Sequence, residues 1–195
     1  MNNPTIDDTL ENSSPRFSPQ VEAVLRQAGW YPSRVVPDSQ LEQWMVLEWD
    51  TLPGFHFQTR MFSAAYHILR EFGGLVIEQN GPGVTCCRER FKFDPLESIK
   101  LTEAYNWPFS EWAADGSLYP FGCFASGKTT DGAIAVDGRG RIVDQDYVIL
   151  IGANIDEALE NLIIGLMPKP LDRERWKEVE ASQVFSMMRN RLGLK

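Results

Sequence analysis

The sequence has no excess of positive charge, no long apolar run, few histidines and few cysteines, and each shortage removes a class of function. Among its 195 residues 19 are Lys or Arg against 27 Asp or Glu, a formal net charge of −8. Direct nucleic-acid binding needs a basic footprint that neutralises phosphates, so this balance suits a basic partner instead. No stretch approaches the ~18 apolar residues of a membrane span. The opening MNNPTIDDTLENSSP has neither the basic nor the apolar region of a signal peptide, and the expected location is the cytoplasm.

Three cysteines, Cys86, Cys87 and Cys123, are an odd number without C-x-x-C spacing. Adjacent residues on a strand point to opposite faces, so no disulfide framework is expected. The two histidines, His56 and His67, lie far in sequence from every cysteine, and no zinc-spaced ligand set exists. There is no G-x-S-x-G, no paired-histidine metal motif and no cysteine with an adjacent histidine. The expectation is a protein without catalysis, cofactor or metal.

What is present is the makeup of one soluble domain, 43% hydrophobic and 24% charged. Residues 1–17 are rich in Asn, Ser, Pro and Asp and read as a disordered tail. Ser18-Pro19 looks like a cap and first-turn proline for a helix carrying Val21, Val24, Leu25 and Ala28 and ending at Gly29. Asp38 or Ser39 is expected to cap a second helix carrying Leu41, Trp44, Met45 and Glu48, broken by Pro53-Gly54. A third, from about Thr59, has Phe62, Ala65, Tyr66, Leu69 and Phe72 on one stripe and stops at Gly73-Gly74.

Leu75 to Ile77 reads as a strand, Gly81-Pro82-Gly83 as a turn, and Val84 to Phe93 as the strand that pairs back. Asp94-Pro95 restarts a helix with Leu96, Ile99 and Tyr105 inward. Trp107, Pro108, Phe109 and Trp112 form an aromatic connection. A stretch of strands and tight turns follows from Leu118, ending in an amphipathic helix to Gly165. Pro168 and Pro170 mark a linker to a C-terminal helix over about Asp172 to Leu192, expected either to pack on the domain or to dock a partner.

One motif competes with that reading. Gly122, Gly127, Lys128 and Thr129 fit G-x-x-x-x-G-K-[ST], the phosphate-cradling P-loop. A working P-loop needs a parallel strand before it and a helix starting at the Lys-Thr. Here Ala133 to Asp137 reads as a strand only a few residues later, which leaves no room for the crossover helix of a βαβ unit. Lys128 is then most simply a solvated turn residue.

Several segments in fixed order carry a family resemblance: Gly29-Trp30-Tyr31-Pro32-Ser33-Arg34, EFGGL at 71–75, FKFDP at 91–95, LYPFG at 118–122, AVDGRGRIV at 135–143, and DEALENLIIG at 156–165. Together they span about Val21 to Gly165 and resemble the SUKH superfamily, most closely its third subfamily of bacterial immunity proteins. The resemblance implies an α+β fold, a single domain over 18–167 with a mainly antiparallel sheet and helices packed against it. It also implies a non-enzymatic antidote that binds a cognate toxin, commonly a nuclease or nucleic-acid deaminase, in a stoichiometric complex. A regulatory adaptor docking through the C-terminal helix is the alternative, and nucleotide binding through Gly122 to Thr129 the more remote one.

Antidotes of this kind need a variable surface, and loops at strand ends supply one. The candidate toxin contacts are therefore turn and strand-end acids expected to project from the sheet: Glu78, Asp131, Asp144 and Asp146. The acidic balance agrees with a basic toxin, since charge complementarity speeds capture. No membrane or direct nucleic-acid contact is expected, and the molecule is read as a monomer or a homodimer.

Overall fold

The fold is taken from a computed structural model of the whole chain, which describes residues 15–51, 55–102, 117–125, 132–144 and 149–171. The segments at 1–14, 52–54, 103–116, 126–131, 145–148 and 172–195 lie outside them, so the expectations of an aromatic connection, of Lys128 in a turn, of Tyr105 facing inward and of a C-terminal helix fall outside the described residues. The tail expected over 1–17 falls outside them up to residue 14, and its end is corrected: Phe17 is buried in the core and Arg16 is ion-paired to Glu71 and Asp156.

Helix α1 spans Pro19–Gln27 and begins as its sequence predicts: Ser18 is extended and its Oγ accepts from Val21 N at 3.4 Å. Ser18 also donates through N and Oγ to the Glu160 carboxylate, at 2.6 and 2.9 Å, which ties the start of α1 to the last helix. Val21 and Leu25 are buried on its inner face.

Helix α2 is only Asp38–Gln43, and the expectation that it runs through Glu48 is corrected. Val46–Thr51 forms β1 and Phe55–Arg60 forms β2, an antiparallel hairpin with Trp49 opposite Phe57 and Asp50 opposite His56. Alternation decides the outcome. Leu47 and Trp49 are buried while Glu48 and Asp50 are exposed, a period of two that no helix can satisfy. Thr59 consequently belongs to β2, and α3 starts later, at Ser63, running to Phe72.

The end of α3 is held by the Trp30 to Arg34 segment. Arg34 donates to the Glu71 carbonyl and, at 2.8 Å, to the Gly73 carbonyl, filling acceptors that a helix C-terminus leaves open. The Trp30 indole donates to Glu71 at 2.9 Å. Arg16 pairs with Glu71 at 2.7 Å and with Asp156 at 2.6 Å, and the Asp156 hydrogen bond foremost holds its guanidinium more firmly protonated than usual. The Gly-Trp-x-Pro-x-Arg motif thus has a structural task here.

Among the described residues seven strands then form one sheet: β3 (Val76–Ile77), β4 (Phe91–Lys92), β5 (Leu118–Phe124), β6 (Ala133–Asp137), β7 (Ile142–Asp144), β8 (Ile149–Gly152) and β9 (Lys169–Pro170). Their spatial order is their chain order, and every neighbouring pair is antiparallel. With helix α4 (Pro95–Thr102) and helix α5 (Ile155–Ile164), this is the α+β arrangement expected. Every residue of β6, and all of β5 after Leu118, is buried, so both faces of the central strands are covered. The core is a ladder of rings, Trp30 on Phe72, Phe72 on Phe93 and Phe93 on Phe121, with centroids 6.5, 5.5 and 5.7 Å apart. Such stacking adds to area burial, and truncating a fully buried Phe93 to Ala costs about 3–5 kcal/mol.

Three further expectations change. The strand expected over Val84 to Phe93 is confined to Phe91–Lys92, because the residues before it fold into a loop. Leu96 is 40% exposed; Ser98 faces inward in its place and donates to Gly122 O at 2.7 Å. The Pro168 to Pro170 region contributes β9 to the sheet edge, pairing with β8.

The antiparallel order also settles the GKT motif's first requirement. β5 and β6 are direct antiparallel neighbours, Tyr119 opposite Val136, whereas a P-loop strand is continued by a parallel crossover. Gly122 lies within β5 against the neighbouring chain, where a Cβ would stand 2.5 Å from Lys92 O.

Candidate functional site

The β3–β4 ladder stops after Ile77 opposite Phe91, and the two chains diverge. Gln79 explains the divergence. Its Nε2 donates to Glu89 O and to Leu162 O, both at 2.9 Å, so a side chain occupies the place of a ladder partner and anchors the segment to α5. Between the diverging chains lies an open hollow of about 480 Å³ whose walls include Glu78, Asn80, Arg88, Glu89, Arg90 and Ala125.

Beyond the hollow the chains meet again at a single bridge between Pro82 and Cys87. Gly81 takes φ +87°, a conformation open to glycine at little cost, and Arg88 N donates to Gly81 O at 2.8 Å. The loop so closed seats on the C-terminus of α5. Gly165 ends that helix in the left-handed region, which leaves its last carbonyls without intrahelical donors. Val84 N reaches Ile164 O at 3.0 Å, while Thr85 N and Cys86 N reach Gly165 O at 2.9 and 3.0 Å. Thr85 Oγ1 in turn accepts from Met167 N at 2.7 Å.

The charged groups of this face are arranged in layers. Glu78 and Arg90 form an ion pair at 2.8 Å, with side chains 66% and 38% exposed. Arg90 also donates to Ala125 O at 3.2 Å, which steadies it against β5. Glu89, behind them, is only 8% exposed. The Gln79 Oε1 and Arg88 Nε atoms are also buried, and carry no hydrogen bond. Each such group costs about 1–3 kcal/mol, a local cost that natural structures tolerate at few places.

Of the four acids expected to project from the sheet, Glu78 does so. Asp144 does not: it is 0% exposed at the end of β7. That strand lies between β6 and β8, with Asp144 opposite both Ile134 and Ile149, so a strand-end acid here is enclosed. Asp131 and Asp146 lie outside the described residues. The sequence reading missed Gln79, Arg90 and the exposed Val84, whose only advance signal is the Gly81-Pro82-Gly83 turn.

The remaining chemical groups are dispersed. Cys86 and Cys87 are partly exposed and Cys123 is buried in β5. His56 pairs with Asp50 at 2.9 Å on the hairpin, and the His67 ring meets the Tyr66 ring edge-on. Among the described residues no group of three or more His, Cys, Asp or Glu is placed to hold a metal, and no helix is long and apolar enough to cross a membrane.

Comparison with known proteins adds one finding to this geometry. The family model described as SUKH-3 immunity protein matches residues 17–165, from the Phe17 that precedes α1 to the Gly165 that ends α5. No curated protein and no solved structure matches the chain. The matched span takes in the helices, the sheet up to β8 and the loop seated on Gly165, and the chain belongs to the SUKH-3 immunity protein family, whose role is toxin immunity.

Proposed function

We propose that this protein neutralises a cognate bacterial polymorphic toxin, a nuclease or nucleic-acid deaminase, by forming a stoichiometric complex with it in the cytoplasm. The observation that carries the reading is the family match over the folded domain, 17–165. The described face at Glu78 and Arg90 supports it: an exposed ion pair beside an open hollow, next to a loop seated on the end of a helix, offers a surface that a partner protein can contact. Inhibition then comes from occluding or deforming the toxin's active site, and no residue of this chain needs to act as acid, base or nucleophile.

Glu78 is the proposed toxin contact among the described residues, and Asp131 and Asp146, which lie outside them, are proposed as further contacts. Asp144 is left out because its carboxylate is enclosed. The net charge of −8 supports a basic toxin, whose encounter long-range attraction accelerates. The test is co-expression with the C-terminal toxin domain of a large secreted protein, should one be encoded next to this gene. Restored growth together with a co-purifying 1:1 complex supports the reading; growth arrest despite soluble expression of both chains sinks it.

A further inference from the structure

From the loop at 81–88 we infer an apolar anchor: Val84 inserts into an apolar socket on the toxin, next to a toxin lysine or arginine that meets Glu78. The inference rests on the toxin-binding reading and gives it a contact surface and a partner chemistry. Val84 is 68% exposed, against 54% for Tyr31, 53% for Val35, 40% for Leu96 and 37% for Met45, the other exposed large apolar side chains among the described residues. A single exposed valine is ordinary by itself. Its mounting is not.

Three consecutive N–H groups, of Val84, Thr85 and Cys86, are bonded to the carbonyls of Ile164 and Gly165. Gly83 N is bonded to Cys86 O at 2.9 Å, and Arg88 N closes the base on Gly81 O. Gly83 itself is pressed against the helix end, since a Cβ there would stand 2.5 Å from Gly165 Cα and 2.8 Å from Ile164 O. The loop backbone is therefore fixed before any partner arrives, while its one large apolar side chain points into solvent. Association costs the ordering of loops and rotamers, and here the loop is already ordered. Valine adds a single, stiff χ1, so little rotamer freedom is lost when it is buried.

The setting specifies the partner. The chains leading into the loop carry Glu78 and Arg90, exposed and paired, beside an open hollow. A protein interface of ordinary anatomy has an apolar centre and a polar rim, and this face supplies both parts within thirteen residues, 78–90. A cation is the better match at the rim, because Glu78 is the more exposed member of the pair and the whole chain is acidic.

The experiment measures binding kinetics between the full-length protein and the adjacent-gene toxin domain, made as a catalytically inactive variant. Val84→Ala is expected to speed dissociation about tenfold and Val84→Asp about a hundredfold, with unchanged melting temperatures because the side chain is exposed. Glu78→Lys is expected to slow association, more at low salt than at high. Val35→Asp, on the link before α2, serves as the exposed apolar control and is expected to bind as wild type. Hydrogen exchange of the free protein is expected to show protected amides at Val84, Thr85 and Cys86. Wild-type dissociation by Val84→Asp, or fast exchange at those amides, overturns this inference while leaving toxin binding in place. Failure of the wild type to bind overturns the toxin reading and the inference with it.

Discussion

Gly83 and Gly165 meet backbone to backbone: a Cβ on Gly83 would lie 2.5 Å from Gly165 Cα, and one on Gly165 would lie 2.7 Å from Gly83 Cα. Neither neighbour is a flexible side chain that could swing aside. Gly83→Ala is expected to cost about 1–3 kcal/mol through overpacking. Gly165→Ala should cost more, by about 1 kcal/mol, because φ there is also +72°. Urea unfolding midpoints measure both, and an unshifted midpoint for either would show that the loop does not seat on α5.

Arg34 caps α3 with two donors that diverge to the Glu71 and Gly73 carbonyls. Arg34→Ala should lower stability by about 1–3 kcal/mol, since both acceptors lose a charged donor. Arg34→Lys should recover less than half of that loss, because an ammonium cannot reproduce the planar fork. Full rescue by lysine would mean that charge, and not the paired geometry, holds the helix end.

Tyr119 predicts how stability changes in alkali. Its phenol is buried in β5, where it donates to the Trp44 carbonyl, and burial pushes its pKa well above the ordinary tyrosine value. The unfolded chain ionises this phenol near pH 10 while the folded chain keeps it protonated. The stabilisation is therefore complete below pH 10 and is lost progressively as pH rises from there toward the raised folded pKa. Melting temperature should fall with a steeper slope above pH 10 in wild type than in Tyr119→Phe. The substitution itself should cost about 1–3 kcal/mol at neutral pH by withdrawing the donor from the Trp44 carbonyl. Parallel slopes for the two proteins would remove Tyr119 as the cause.

The Glu78–Arg90 pair separates stability from recognition. Both partners are more than a third exposed, so Arg90→Ala or Glu78→Lys should change stability by no more than about 1 kcal/mol. On the proposed function, Glu78→Lys should weaken toxin affinity by about tenfold or more. A charge reversal that leaves affinity intact would take this face out of the interface.

Much of the central sheet is legible in the residues themselves. The β6–β7 hairpin is an instance: Asp137 Oδ1 accepts from Arg139 N and Arg141 N, at 3.0 and 2.9 Å, and Oδ2 from Arg141 Nε at 2.7 Å, while Gly140 takes φ +83°. Every participant lies within five residues, so the turn chemistry is local and its sequence announces it. The β1–β2 hairpin shows the opposite case. Leu41, Trp44 and Met45 continue a helical spacing up to the first strand residue, and only the alternation after Val46 reveals the change of period.

The site was legible only in part, for a related reason. Glu78 next to a glycine-proline turn predicts exposure, and exposure is what results. Asp144, a strand-end acid by its sequence, is enclosed instead, because its burial is set by the strands on either side and by what covers them. The seating of 83–86 on the end of α5 joins segments far apart in sequence, and no local pattern encodes it. Periodicity reports which face a residue takes within its own element; it does not report which distant element arrives there.

The chain-ordered sheet has a consequence for how the protein comes into being on the ribosome. From β3 to β8 each strand can zip onto the one synthesised just before it, so the sheet grows vectorially with the nascent chain and waits for no distant partner. The clasps at Arg16 and Ser18 are different: they reach Asp156 and Glu160, residues 140 and 142 positions downstream. Helix α1 cannot lock until α5 has emerged, and the loop carrying Val84 cannot seat until Gly165 is made. A truncated or stalled chain would own most of the sheet and yet lack both the α1 clasps and the seated 83–86 loop, so these long-range closures arrive late and together.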